Sequence, residues 1–326
     1  MDKTLIIEAS KLYGIAKEEC NFIGGFQNLV YSYAKDNKNY VLRFSHDSHR
    51  SDTLILAELD WINHLADNGL SVCKSIQSIR QVDCEMVETN NDRYYVVAFE
   101  MAKGKKININ HESEWNEEFF GRWGSTVGRI HSLTKKYKSK QVAARRPHQY
   151  DKDQEFIHTI SKKLEDTQTF SLQKFIYLSE ALKPDKKEEH DLYGLVHNDI
   201  HMGNFHVVGK ELQLFDFDEC SYNWFGNDIA MPLFYSVWES TLNNIERTEF
   251  AKKFIHYFLN GYSKEVSITD DTLKHIPSLL KMREVVLHLF FNTRWNLSEL
   301  TFKQQKTLKD LEFKIKNDIP VLERIF

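Results

Sequence analysis

Short apolar and polar runs alternate along the first hundred residues, and they predict strands. Phe22-Ile23 and Leu29-Val30-Tyr31-Ser32-Tyr33-Ala34 flank Gly24-Gly25 as a hairpin with a tight turn. Asn39–Phe44 gives the next strand, and Ser75–Ile79, Glu85–Thr89 and Tyr94–Met101 extend the sheet with β-branched and aromatic residues. The period changes between Asp52 and Asn68, where Leu54, Leu56, Leu59, Ile62 and Leu65 fall near helical spacing; a short helix also opens the chain. Beyond residue 101 helical spacing prevails. Trp115, Phe119, Trp123, Val127 and Ile130 mark one helix from about Glu114 to Leu133, residues near 154–182 and 185–190 form a helical insert with a charged turn, and several helices follow Ile229. The exception is Phe205–Val208 and Leu212–Phe215, two short strands turned by Gly209-Lys210 after the apolar approach Tyr193–Val196. The expectation is an α+β chain. A small antiparallel sheet with one main helix forms an N-lobe over 1–101, a larger, mostly helical C-lobe spans 102–326, and the hinge lies at about 100–104.

Composition narrows the function classes. With 326 residues and 41% hydrophobic content the chain can bury the core of one large or two ordinary domains. A net charge of −4 without a cationic tail gives no bias toward nucleic acid. Cys20, Cys73, Cys84 and Cys220 are too scattered for a metal motif and too few for a disulfide scaffold, which suits a reducing cytoplasm. The first residues lack the apolar core of a signal peptide and no apolar run reaches eighteen residues, so a soluble protein without a membrane partner is expected. Low Pro and Gly argue against long linkers; none of these patterns bears on oligomeric state.

The chemistry concentrates in His197-Asn198-Asp199-Ile200-His201-Met202-Gly203-Asn204, followed by Asp216-Phe217-Asp218. Phosphoryl transfer needs a carboxylate facing the acceptor hydroxyl and oxygen ligands holding a metal against the phosphates. In the kinase signature the catalytic Asp follows a His by two residues and precedes a metal-binding Asn by five, with a second metal-binding Asp downstream. His197, Asp199, Asn204 and Asp216 reproduce those intervals. The Phe205–Phe215 hairpin would bring Asn204 and Asp216 to one end of two paired strands, where both reach one hard cation. The competing readings are scattered histidines at 197, 201 and 206 beside a solvated strand end, or a zinc site, for which no partner pair has the usual spacing.

Leu195–Phe205 together with Phe215–Asp218 resembles the aminoglycoside phosphotransferase and choline kinase superfamily, and most of the chain is similar to its bacterial homoserine-kinase type II-like and stress-response-kinase-like branch. Asn198 stands where protein kinases carry Arg, and Asp216-Phe217-Asp218 replaces Asp-Phe-Gly, as in small-molecule kinases. The resemblance implies a bilobal protein-kinase-like fold with ATP and Mg2+ as cofactors. It makes Asp199 the base, Asn204 and Asp216 the metal ligands, and His197 and Asp218 supporting residues. Trp224–Ala230 looks like the family's helix start, whose Asp, here Asp228, buttresses the catalytic loop. His131 is expected to pack or to make a buried hydrogen bond.

On the nucleotide side, Gly24 and Gly25 would let backbone N–H groups approach phosphate, with Asn28 adding a polar contact. Arg43 falls where the superfamily places its phosphate-contacting base, with Arg in place of Lys, and Glu58 is its expected partner. Adenine would be held by the main chain of Glu100 and Ala102. The basic stretch Lys135–Arg146 reads as a solvated loop. Tyr235, Trp238, Glu239, Asn292, Arg294 and Trp295 are candidate acceptor-lining residues, each more often core or surface than contact. The expected function is transfer of the ATP γ-phosphate to a small-molecule hydroxyl, on an amino alcohol, hydroxy amino acid, sugar or aminoglycoside-like compound. Two rivals are a protein serine/threonine kinase, for which 218–224 leaves little room for a peptide platform, and a nucleotide-binding regulator without catalysis.

Overall fold

In chain order the elements are α1 (Lys3–Tyr13), β1 (Asn21–Gly24), β2 (Leu29–Lys35), β3 (Lys38–His46), α2 (Asp52–Asp67), β4 (Ser75–Ile76), β5 (Glu85–Glu88) and β6 (Arg93–Glu100). Then come α3 (Glu117–Thr134), α4 (Gln149–Ile160), α5 (Thr169–Ala181), the one-turn α6 (Glu189–Leu192), β7 (Tyr193–Val196), β8 (Phe205–Val208), β9 (Glu211–Leu214) and β10 (Ser221–Trp224). The chain ends in α7 (Asn227–Trp238), α8 (Asn244–Tyr262), α9 (Asp270–Leu273), α10 (Ile276–Arg294) and α11 (Phe302–Lys316). The computed structural model describes residues 3–25, 27–89, 92–140, 145–162, 169–184, 189–240, 244–323 and 325.

Two compact units divide the chain, and neither is a single stretch. The first comprises Met1–Ile107, Lys136–Arg146 and Asn204–Asp218; the second comprises Asn108–Lys135, Pro147–Gly203 and Glu219–Phe326.

In the first unit an antiparallel sheet runs β1-β2-β3-β6-β4, with β5 also on β6. Strand alternation sends Tyr31, Tyr33, Leu42, Phe44, Val96 and Ala98 to one face, where Leu5, Ala9 and Tyr13 of α1 cover them. Ser51 caps α2 by accepting from the Leu54 N–H at 3.3 Å. The buried stripe of α2 passes through Ile55, Leu59, Ile62 and Leu65, while Leu54 and Leu56, expected in it, are half-exposed. β4 ends earlier than its apolar run suggests because the Ser78 N–H bonds the Val82 carbonyl at 2.9 Å and turns the chain. The β8–β9 hairpin belongs to this unit: Val207 exchanges backbone bonds with Lys105 at 2.8 and 3.2 Å, and Leu214 bonds Ser71 and Cys73 at 2.9 Å.

In the second unit α3 packs on α8 through a glycine-lined face. A Cβ on Gly124 would lie 1.8 Å from the Phe258 carbonyl oxygen, so only glycine allows this approach. Phe119, Trp123, Val127 and Ile130 are fully buried in that seam. β7 pairs antiparallel with β10, Val196 opposite Ser221 and Tyr193 opposite Trp224. A further core joins α4, α5, α10 and α11 through Ile160, Phe175, Leu178, Val285, Leu289, Leu311 and Ile315. The expected helical insert thus begins earlier, at Gln149; its 163–168 and 185–188 segments lie outside the described residues. No helix among the described residues is long and apolar enough to cross a membrane.

Candidate active site

The glycine turn and its neighbours come first along the chain. Gly24 and Gly25 have φ of +134° and +121°, a region that excludes most side chains. A Cβ on Gly25 would meet the Asn28 carbonyl oxygen at 2.0 Å, whereas one on Gly24 would meet nothing within 4 Å. Gly25 therefore closes the turn, while Gly24, opposite Val30 in the β1–β2 pair, has free space where a side chain would stand. The Asn28 amide is held at both ends: Nδ2 donates to Asp218 at 3.2 Å and Oδ1 accepts from Ser45 at 2.7 Å.

Arg43 on β3 and Glu58 on α2 form a buried two-point pair, Nη1 to Oε1 at 2.7 Å and Nη2 to Oε2 at 2.8 Å. Burial opposes the guanidinium's charge, but Glu58, Asp218 and Asp216 outweigh it, so Arg43 stays protonated. Its Nε–H is buried and has no hydrogen-bond partner among the described residues.

The β8–β9 register explains how two chemistry-bearing residues twelve positions apart come together. Phe205 pairs with Leu214, and the Phe215 N–H bonds the Asn204 carbonyl at 3.0 Å, so Asn204 and Asp216 flank the same end of the hairpin. Asp216 is exposed with φ of +62°, a conformation rare for a residue with a side chain and frequent at functional sites. Phe217, next along, is buried edge-on against Trp61 of α2 at 5.5 Å. Asp218 then accepts from His49 Nε2 and Arg50 Nε, both at 3.1 Å, besides Asn28. Burial alone would raise its pKa; the His49 bond and the Arg43 and Arg50 charges hold it well below the ordinary carboxylate range. Its backbone carbonyl accepts from Arg50 at 3.3 Å and from Arg146.

That last contact corrects one expectation. Arg146 is 4% exposed and also donates to the Leu54 carbonyl at 3.1 Å, so the end of the basic stretch is anchored and not a solvated loop. Residues 141–144 of the stretch lie outside the described residues. After β6, the Glu100 N–H bonds Lys74 at 2.9 Å and the Met101 N–H bonds Asn39 at 3.1 Å, while the Ala102 N–H makes no hydrogen bond among the described residues.

In the second unit the loop after β7 is fixed from beneath. Asp228, fully buried in the first turn of α7, accepts from the His197 and Asn198 N–H groups, each at 2.8 Å. His131 bonds the Tyr262 hydroxyl at 2.8 Å and stacks on Phe225 at 4.4 Å. Burial lowers its pKa, and its Nε2 sits 3.6 Å from Asp228 without a hydrogen bond, so it packs as a neutral ring. Asn198 adopts φ of +68° and is knotted in place. Its Oδ1 accepts from Asn223 at 2.9 Å and Asn227 at 3.0 Å, and its Nδ2 donates to Ser221, the Glu219 carbonyl and Gln149. An amide can both donate and accept at that position, which an arginine cannot.

Asp199 follows, half-buried. His201 Nδ1 accepts from the Gly203 N–H at 2.9 Å, which leaves the proton on Nε2, 3.4 Å from Asp199 Oδ2. Oδ1 is held by Arg283 Nη2 of α10 at 2.6 Å, and Arg283 Nε donates to the Tyr235 hydroxyl at 2.9 Å. Burial would raise the Asp199 pKa, but Arg283, His201 and His197 outweigh it and keep the carboxylate ionised far below its ordinary range. Such a group can accept a hydrogen bond from a hydroxyl throughout the physiological pH range. Arg283 was not among the sequence candidates. It lies 84 positions from Asp199, on the helix that also carries the candidates Asn292 and Arg294, and no local pattern marks it. Of the candidate acceptor residues, Tyr235 meets this cluster; Asn292 instead bonds His288 on its own helix.

The match to known proteins extends over the whole architecture. Residues 19–265 match the model of the phosphotransferase enzyme family. The chain is 31% identical to the amicoumacin kinase of Bacillus subtilis (strain 168) over 321 residues, covering 98% of this chain and 94% of that protein. It superposes on the amicoumacin kinase hAmiN, solved in complex with AMP-PNP, Ca2+ and Ami, with a TM-score of 0.89 at 30% identity, covering 99% and 95% of the two chains. A microcompartment-associated aminopropanol kinase shares the fold with a TM-score of 0.75 at 16% identity over the full length of both chains.

Proposed function

Because the chain belongs to the phosphotransferase enzyme family, with its protein-kinase-like α+β fold and ATP-dependent transfer to small-molecule hydroxyls, we propose a role for each residue of the site. The Gly24-Gly25 turn and Arg43, whose Nε–H has no partner among the described residues, take nucleotide phosphate oxygens. Glu58 holds the guanidinium in place for them. The Ala102 N–H and the Glu100 carbonyl hold adenine. Asn204 and Asp216 offer hard oxygen donors from one hairpin end, the donor type that Mg2+ prefers. When bound, the ion neutralises phosphate charge.

Asp199 receives the acceptor hydroxyl, orients it and takes its proton as the oxygen attacks the γ-phosphorus; the bond to the leaving ADP oxygen breaks as the new ester bond forms. The observation that carries this reading is Asp199 itself: an ionised carboxylate fixed by Arg283 and His201, on a loop clamped by Asp228. Little covalent chemistry falls to the protein, so the rate arises from positioning and charge neutralisation. The extent of the likeness to the amicoumacin kinase makes amicoumacin the first acceptor to test.

The experiment is a Mg2+-dependent ATP-consumption assay against amicoumacin, amino alcohols, hydroxy amino acids, sugars and aminoglycosides, with Asp199→Asn in parallel. A hit reduced by roughly 10²–10⁴-fold in the variant, with nucleotide binding intact, supports the reading. Full turnover by Asp199→Asn would sink the assignment of the base.

A further inference from the structure

Arg283 offsets the burial of Asp199, and a charge nearby without a hydrogen bond would suffice for that. Yet α7 and α10 together bring a cation onto the atom that is to receive the acceptor. The guanidinium is only partly engaged. Nη2 bonds Asp199 Oδ1 and the Tyr235 hydroxyl, and Nε bonds the same hydroxyl. Nη1 makes no hydrogen bond among the described residues and is not among the buried polar atoms lacking a partner. The side chain as a whole keeps 22% of its surface exposed, close to the 24% of Asp199. One arm of the fork thus fixes the Asp199 carboxylate, and the other keeps two N–H donors that are unused and not fully buried. The His201 ring lies 4.7 Å from the Tyr235 ring in the same cluster.

An acceptor that places its hydroxyl on Asp199 must place the neighbouring part of the molecule beside Nη1. Guanidinium has donors and no acceptor, is permanently charged, and matches carbonyl and carboxylate oxygens in its own plane. An ammonium group at that place would meet a like charge. An oxygen at that place would take the unused donors.

Resting on the proposed phosphoryl transfer to a hydroxyl at Asp199, we propose that Arg283 is the specificity-determining residue of the acceptor site and selects molecules carrying a carbonyl or carboxylate oxygen two to three bonds from the phosphorylated hydroxyl. Hydroxy amides and hydroxy acids meet this requirement. Amino alcohols, whose ammonium stands next to the hydroxyl carbon, do not. An amine elsewhere in the acceptor is compatible with it.

The test compares matched pairs of acceptors of equal length, a hydroxy amide or hydroxy acid against the corresponding amino alcohol, in wild type, Arg283→Gln and Arg283→Lys. Wild type is expected to favour the oxygen-bearing member at least tenfold in kcat/KM. Arg283→Gln should raise KM for that member tenfold or more, leave KM for ATP unchanged and erase the discrimination. Arg283→Lys, which keeps the charge and loses the planar fork, should fall between the two and covers the case in which the glutamine variant does not fold. A wild type that prefers the amino alcohol overturns the inference. So does an equal loss of kcat for both members in the variants with KM unchanged, which would mean that Arg283 only positions Asp199. Binding of the same compounds without ATP, measured by calorimetry, separates this inference from the transfer reading. Arg283-dependent binding without any phosphate transfer would sink the transfer reading alone; transfer without Arg283-dependent selection would sink the selection alone.

Discussion

Replacing Glu58 by Gln isolates what the buried pair on β3 and α2 contributes. Both side chains are enclosed, 6% and 0% exposed, and joined by two short bonds. Removing one partner of a buried ion pair costs about 3–5 kcal/mol because the other charge stays desolvated without compensation. Here Asp216 and Asp218 remain near Arg43 and recover part of that cost, which places the loss near the lower end, about 3 kcal/mol or a factor of ~10² in the folded-to-unfolded ratio. Urea unfolding followed by circular dichroism should show the loss in the transition that carries the first unit, together with a raised KM for ATP. The double replacement Arg43→Met with Glu58→Met leaves no charge in the core, and such exchanges are often neutral or stabilising. It should regain most of the lost stability while ATP use stays impaired. A Glu58→Gln loss under about 1 kcal/mol would refute the reasoning, as would a double variant no more stable than the single one.

Three further outcomes follow from the geometry. Gly25→Ala should cost about 1–3 kcal/mol in backbone strain and raise KM for ATP, because its Cβ meets the Asn28 carbonyl; Gly24→Ala, strained but unobstructed, should cost less, and equal thermal shifts would count against this account. Asp228→Asn replaces one of two acceptors by a donor facing a buried N–H, so it should lose about 1–3 kcal/mol and lower kcat with little change in KM for ATP; unchanged kcat would show that the clamp on the catalytic loop is dispensable. Asp153, buried on α4 between Gln149 and Ser179, has its pKa pushed up by burial to about 6 from a reference of 3.8. A raised carboxyl pKa means the folded state holds the proton more tightly, so wild-type stability should fall by up to ~3 kcal/mol as pH rises from about 4 to about 6 and then level off. Asp153→Asn should lack that fall; a stability difference between the two that does not change with pH would contradict the buried-acid reading.

The sequence by itself determined what depends on neighbours along the chain. Strand alternation and helical spacing marked the elements, because burial of one face imposes those periods wherever the element finally packs. The hairpin from Phe205 to Leu214 could be read because its turn is two residues long, and with it the convergence of Asn204 and Asp216 on one end. Asp199 was legible by its intervals from His197 and Asn204, since all three share one short loop. Glu58 opposite Arg43 lay within reach of the same reasoning, as α2 follows β3 after five residues.

Tertiary structure alone decided the contacts whose partners are distant in sequence. Arg283 reaches Asp199 across 84 positions, Arg146 reaches the Asp218 carbonyl across 72, and Asn198 is tied to Gln149 across 49. A polar residue on a helix has the same local pattern whether it faces solvent or a buried carboxylate. Only the packing of α7 against α10, and of Arg146 beside α2, sets which of the two it faces. The residues proposed for proton transfer therefore sit in one short loop, and the surroundings that tune the Asp199 carboxylate are assembled by packing.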